Sequence, residues 1–119
     1  VWDELVTTDV EGATHFYSEV VGWEAHDMDM GNNVIYTVFS SGGADRAGCI
    51  RQPKGAEGTP PAWLTYLGTD DVDGTLEKAK SLGTTTVYME PMDVPTVGRL
   101  AVFADPAGAA VGLFHPDAQ

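Results

Sequence analysis

The chain has 119 residues, 43% of them apolar, with 14 Gly, 7 Pro and a formal net charge of −12. That makes one domain large enough to bury a core, turn-rich rather than disordered. Eighteen acidic against six basic side chains repel phosphate backbones and anionic lipid, arguing against nucleic-acid partners, and no apolar run is long enough to span a membrane.

In chain order, the opening "VWDELVTT" reads as a strand and contains no basic leader or hydrophobic signal segment. Val1 stands where an initiator Met would be, so a start residue or upstream segment is expected to be missing. Asp9 then caps a helix whose apolar stripe is Ala13, Phe16, Tyr17, Val20 and Val21, with Gly22 as a left-handed C-terminal cap. "GWEAHDMDM", "NVIYTVFS" and "RAGCIRQ" read as three strands separated by "GNN" and "SGGAD". "PKGAEGTPPA" is a Pro/Gly-rich link, followed by the strand "AWLTYLGT". A second helix starts at the Asp71 cap, with Leu76, Ala79 and Leu82 as its stripe, Glu77, Lys78 and Lys80 facing water, and Gly83 as its cap. "TTTVYME", "RLAVFA" and "AAVGLF" complete the strands, separated by "PMDVPTVG" and "DPAG".

The chain therefore says nearly the same thing twice. Asp9-Val10-Glu11-Gly12 answers to Asp71-Val72-Asp73-Gly74, Trp2 to Trp63, and Gly22 to Gly83. Two copies with a period of half the chain are too few for a repeat array, so this is a duplicated βαβββ module inside one domain. Module one covers about 1–54 and module two about 60–119. The lone Cys49 forms no internal disulfide and fits a reducing cytoplasm.

The duplicated unit resembles the vicinal-oxygen-chelate superfamily of glyoxalases, bleomycin-resistance proteins and dioxygenases, and within it the bacterial glyoxalase-like proteins. The carrying stretches are "ELVTTD…FYSEVVGW" (Glu4 to Trp23), Ala47-Gly48, "PPAWLTYLGTDDVDG" (Pro60 to Gly74) and "DVPTVGRLAVFADPAGAAVGLFHP" (Asp93 to Pro116). The resemblance implies an α+β fold of two βαβββ modules whose curved mixed sheets form a cleft. It also implies pairing, as a homodimer or with a tandem domain. It does not give the reaction, because one scaffold hosts lyases, dioxygenases, epimerases and binding proteins.

Metal-using members place four His, Glu or Gln ligands on the first and last strands of each module. Aligned on the helix caps and on "DPAG", those positions fall at Trp2, Leu64, Gly112 and near Ile50, with Gly48 and Gln52 on the face of Ile50. None of these side chains is a good donor, and one- or two-residue slips bring in only Thr65, Cys49, Arg51 or Glu4. His15, His26 and His115 are scattered along the chain. The expectation is no metal site and no cofactor.

Strand alternation nominates cleft-facing residues instead. Trp2, Glu4 and Val6 share one strand face, as do Leu64 and Tyr66, Ile50 and Gln52, and Ala110, Gly112 and Phe114; Tyr36, Arg99 and Phe103 are added. The set is an apolar and aromatic pocket with few polar groups, suited to a small organic molecule, and the net charge favours a cationic one. Glu4 is the candidate general base of an enzymatic alternative, a lyase, isomerase or hydroxylase-like member; the bland reading is a structural ion pair with Arg51 or Arg99. Arg99 is either an anion anchor or an ion-pair partner. Cys49 has no adjacent His or Lys and reads as an inert buried thiol. A metal-dependent glyoxalase or dioxygenase is the third reading.

Overall fold

A computed structural model describes residues 2–30, 34–52, 60–84, 86–94 and 97–116. Contacts between Cα atoms divide the chain into two compact units, Trp2–Leu64 and Thr65–Gln119. The first contains β1 (Trp2–Thr7), α1 (Val10–Val21), β2 (Glu24–Asp29), β3 (Ile35–Ser41) and β4 (Ala44–Arg51). β5 (Ala62–Gly68) carries the boundary, and α2 (Val72–Ser81), β6 (Val87–Val94), β7 (Gly98–Ala104) and β8 (Ala110–Pro116) complete the second. Each half is a βαβββ unit, and the fold class is α+β.

The strands of the two halves follow one plan within a single eight-stranded order. In the first, β2-β3-β4 is an antiparallel meander and β1 joins parallel to β4, with Glu4 opposite Gly48. In the second, β6-β7-β8 is the meander and β5 joins parallel to β8, with Tyr66 opposite Gly112. A parallel pairing needs a crossover, and α1 and α2 supply the helical part of it.

The duplicated Asp-Val-acid-Gly motif has a steric cause. Asp9 and Asp71 cap the helices by accepting from the backbone N–H of Gly12 and Gly74, at 2.9 and 3.0 Å. A Cβ at either glycine would lie 2.2 or 2.3 Å from the capping carboxylate, so glycine makes room for the cap. Gly22 ends α1 in the left-handed conformation (φ 75°), its N–H donating to the Ser18 carbonyl. At α2 the cap is Leu82, one residue before the expected Gly83, which follows it with a positive φ of 119°.

Each helix covers one sheet face. Leu5, Phe39, Ala47 and Cys49 form the first core, against Val10, Ala13, Tyr17 and Trp23. Val72, Leu76, Ala101, Phe103 and Leu113 form the second. Only part of the expected α1 stripe is used: Phe16, Val20 and Val21 stay exposed, as does Leu82 beyond α2. β6 runs on through Pro91 to Val94, where the sequence suggested a loop. Among the described strands β6 pairs only with β7, and the register shifts between Met89 and Met92, so the proline interrupts no central ladder.

Candidate functional site

On the sheet face of the first unit opposite α1, the side chains of Trp2 and Glu4 project from β1, Tyr36 and Val38 from β3, and Gly48 and Ile50 from β4. Three of them form a hydrogen-bonded chain. Trp2 Nε1–H donates to the Tyr36 hydroxyl at 2.8 Å, and the Tyr36 hydroxyl donates to the Glu4 carboxylate. Burial, and then the Glu4 charge, push the Tyr36 phenol far above the ordinary tyrosine range, so it stays a neutral donor at any physiological pH. The carboxylate is itself half-buried.

Glycine at 48 makes this arrangement possible. An added Cβ would lie 1.7 Å from Tyr36 Oη and 2.2 Å from Cζ, so the ring occupies the space a side chain at 48 would fill. The second unit repeats the device with another tyrosine: a Cβ at Gly112 would lie 2.3 Å from Tyr66 Cδ1. The register makes Gly48 the counterpart of Gly112, whereas alignment on motifs alone pointed near Ile50. The quoted Ala47-Gly48 was the usable signal.

The structure also places the other nominated residues. Ile50 lies opposite Val6, Gln52 donates its N–H to the Thr7 carbonyl at 2.9 Å, and Leu64 and Tyr66 are buried. Phe114 is half-buried opposite Leu100 on the face of Gly112. Two nominations are corrected. Phe103 belongs to the core under α2, with Val72 and Leu76. Arg99 shares that face, making a two-pronged ion pair with Asp73 of α2 (Nε–Oδ1 2.6 Å, Nη2–Oδ2 2.9 Å) and reaching Asp93 at 3.1 Å. In a strand a one-residue offset reverses every side chain, and β7 carries its odd-numbered residues toward the helix. Asp73 and Asp93, not Glu4, are the carboxylates described as pairing with Arg99.

Cys49 backs onto this site. It is buried in the first core, and burial together with the Glu4 charge raises its thiol to about 11, so it is protonated and unreactive at neutral pH. The three histidines are exposed, and the His115 ring nitrogen Nδ1 lies 3.1 Å from the Thr69 carbonyl.

The residues at the family's ligand positions do not fit a metal ion. Tyrosine rings cover Gly48 and Gly112, Leu64 is aliphatic, the Trp2 N–H is a donor already bound to Tyr36, and the Glu4 carboxylate accepts from Tyr36. Among the described residues no three His, Cys, Asp or Glu side chains are placed to hold a metal.

The family model described as Glyoxalase/Bleomycin resistance protein/Dioxygenase superfamily matches residues 3–113. The chain belongs to this superfamily. CFP32 of Mycobacterium tuberculosis, provisionally named a glyoxylase, is 38% identical over 119 residues, covering 100% of the chain and 44% of that protein. The anthracycline biosynthesis protein DnrV of Streptomyces peucetius is 36% identical over 126 residues, covering 96% of the chain and 46% of that protein. The chain thus spans under half the length of these curated relatives. Among solved structures, methylmalonyl-CoA epimerase from Streptomyces coelicolor superposes with a TM-score of 0.65 at 18% identity, over 98% of this chain and 95% of the other, a likeness of fold. No described helix is long and apolar enough to cross a membrane.

Proposed function

We propose that this glyoxalase-like chain binds a small organic molecule without a metal ion, on the Trp2–Tyr36–Glu4 face of its first unit. The observation that carries the reading is the hydrogen-bonded chain from the Trp2 indole through Tyr36 to Glu4, seated on Gly48 where a metal-using relative would offer a ligand. Aromatic walls with one oriented carboxylate favour a flat ligand bearing a cationic group, and the net charge of −12 favours the same sign. The relative named for anthracycline biosynthesis makes anthracyclines a reasonable first probe class. Sequestration in the cytoplasm, with a second copy or a tandem domain as partner, is the setting we infer.

The test is fluorescence titration of an anthracycline, backed by a thermal-shift library, with EDTA present throughout. Binding should persist in chelator and weaken about tenfold or more in Trp2→Ala, the usual size of loss for an aromatic anchor. A ligand that binds only after a divalent ion is added would refute the proposal.

An enzymatic role has one specific observation in its favour: Tyr36 holds Glu4 in a fixed orientation, as a general base requires. On that reading Glu4→Gln abolishes turnover and leaves ligand binding; on the sequestering reading no variant changes product formation, because there is none.

A further inference from the structure

The opposite side of the same sheet holds a concavity. Alternation along β1 and β4 turns Asp3 and Ala47 away from Glu4 and Gly48, toward α1. There Asp3, Trp23, Arg46, Ala47 and Trp63 line an open depression of ≈ 340 Å³. Two of its lining residues are indoles, one of them backed by a phenol. Trp23 and Trp63 lie 6.3 Å apart at 78°, two indoles set at a corner, and Tyr17 lies 5.5 Å from Trp63 at 77°.

The corner is preorganised. Trp63 Nε1–H donates to the Tyr17 hydroxyl at 3.1 Å, and Trp23 stacks on the fully buried Phe39 at 5.4 Å and 25°. Yet Trp63 remains 40% exposed, apolar surface that folding leaves in water. Arg46 is exposed at the same depression, and its described hydrogen bond runs from Nη2 to the Ser41 carbonyl at 3.2 Å. A guanidinium has five N–H donors in a planar fork, so it can keep that bond and still turn other donors to a ligand.

We propose that this depression is a second small-molecule site, for a zwitterion that sets a methylated ammonium against the Trp23–Trp63 corner and its carboxylate on Arg46. A methylated ammonium is a weakly hydrated cation that indole faces attract through their quadrupole. The guanidinium fork matches a carboxylate. A lone cation would be repelled by Arg46, and a lone anion would meet the net charge of −12. A ligand carrying both charges suits the indoles and the guanidinium together.

Trimethylglycine is the probe, and 3,3-dimethylbutanoate, its uncharged-carbon isostere, is the control; choline is the cation without a carboxylate. The readout is the indole Nε1–H resonances in ¹H–¹⁵N NMR spectra, with those of the three tryptophans assigned by single substitution. Trimethylglycine should shift Trp23 and Trp63 saturably and leave Trp2 in place. The isostere should bind about two- to fivefold more weakly, the worth of an exposed cation–π contact. Arg46→Gln should remove the preference for trimethylglycine over choline, and Trp63→Leu should weaken both. Should Trp63→Leu fail to fold, Arg46→Gln, a change at an exposed side chain, still decides the matter. No saturable shift, an equal response to the isostere, or a shift confined to Trp2 would each overturn the proposal.

Discussion

Replacing Gly48 by Ala tests whether Tyr36 is seated as described. Gly48 has no left-handed φ, so alanine meets no backbone strain there. In a strand that change should by itself stabilise by about 0.5–1 kcal/mol, because glycine loses more entropy on folding. The new methyl, however, would lie 1.7 Å from Tyr36 Oη, and the ring must move. Moving it breaks the 2.8 Å bond from Trp2, worth about 1 kcal/mol net, and the bond to the Glu4 carboxylate, worth about 1.5–3 kcal/mol. Overpacking adds about 1–3 kcal/mol where the ring cannot find a new rotamer. With partial relaxation the expected loss is about 2–4 kcal/mol, read as a lower urea midpoint at unchanged slope. The control is the same change in a Tyr36→Ala background, where Gly48→Ala should be neutral or stabilising. A cost below about 0.5 kcal/mol in the wild-type chain, or an equal cost in both backgrounds, would refute the seating argument.

Arg99→Gln should lower stability modestly near neutral pH, and the deficit should shrink in high salt. Arg99 holds Asp73 below its ordinary carboxyl range, so the contribution is complete above the unfolded-state value and disappears as pH falls through the depressed folded one. Stability curves of the two proteins should therefore converge in acid; a gap that widens in acid would contradict the pairing. Cys49 should resist a disulfide reagent at pH 8 in the native state and react at once in denaturant, because its thiol titrates at about 11 and is buried. Leu76, on the core face of α2 and 1% exposed, should cost about 2–5 kcal/mol when cut to Ala, measured by urea unfolding; a cost under 1 kcal/mol would mean that α2 is not seated on the second core.

Much of this was legible in the residues because local chemistry decided it. The Asp-Val-acid-Gly repeat announced both helix starts, and the structure shows why its last residue is glycine: the carboxylate that caps the helix needs the space. The βαβββ order of each half was equally readable. The phase of β7 was not. It reads Arg-Leu-Ala-Val-Phe-Ala, apolar on both faces, so nothing in the alternation sets its phase, and Phe103 and Arg99 were assigned to the wrong side. Pro91 misled in the other direction, because sequence alone does not reveal that a strand will lie at the outside of its sheet. Tyr36 lying over Gly48 was also out of reach. It depends on a diagonal contact between neighbouring strands, which needs the register and not merely the strands.

The central claim is that small-molecule binding here needs no metal. Elemental analysis of protein purified without chelator, with native mass spectrometry on the same sample, tests it most directly. The account predicts divalent metal far below stoichiometric, with any bound organic species retained after EDTA treatment. About one tightly held divalent ion per chain, lost together with the organic species on chelation, would contradict it.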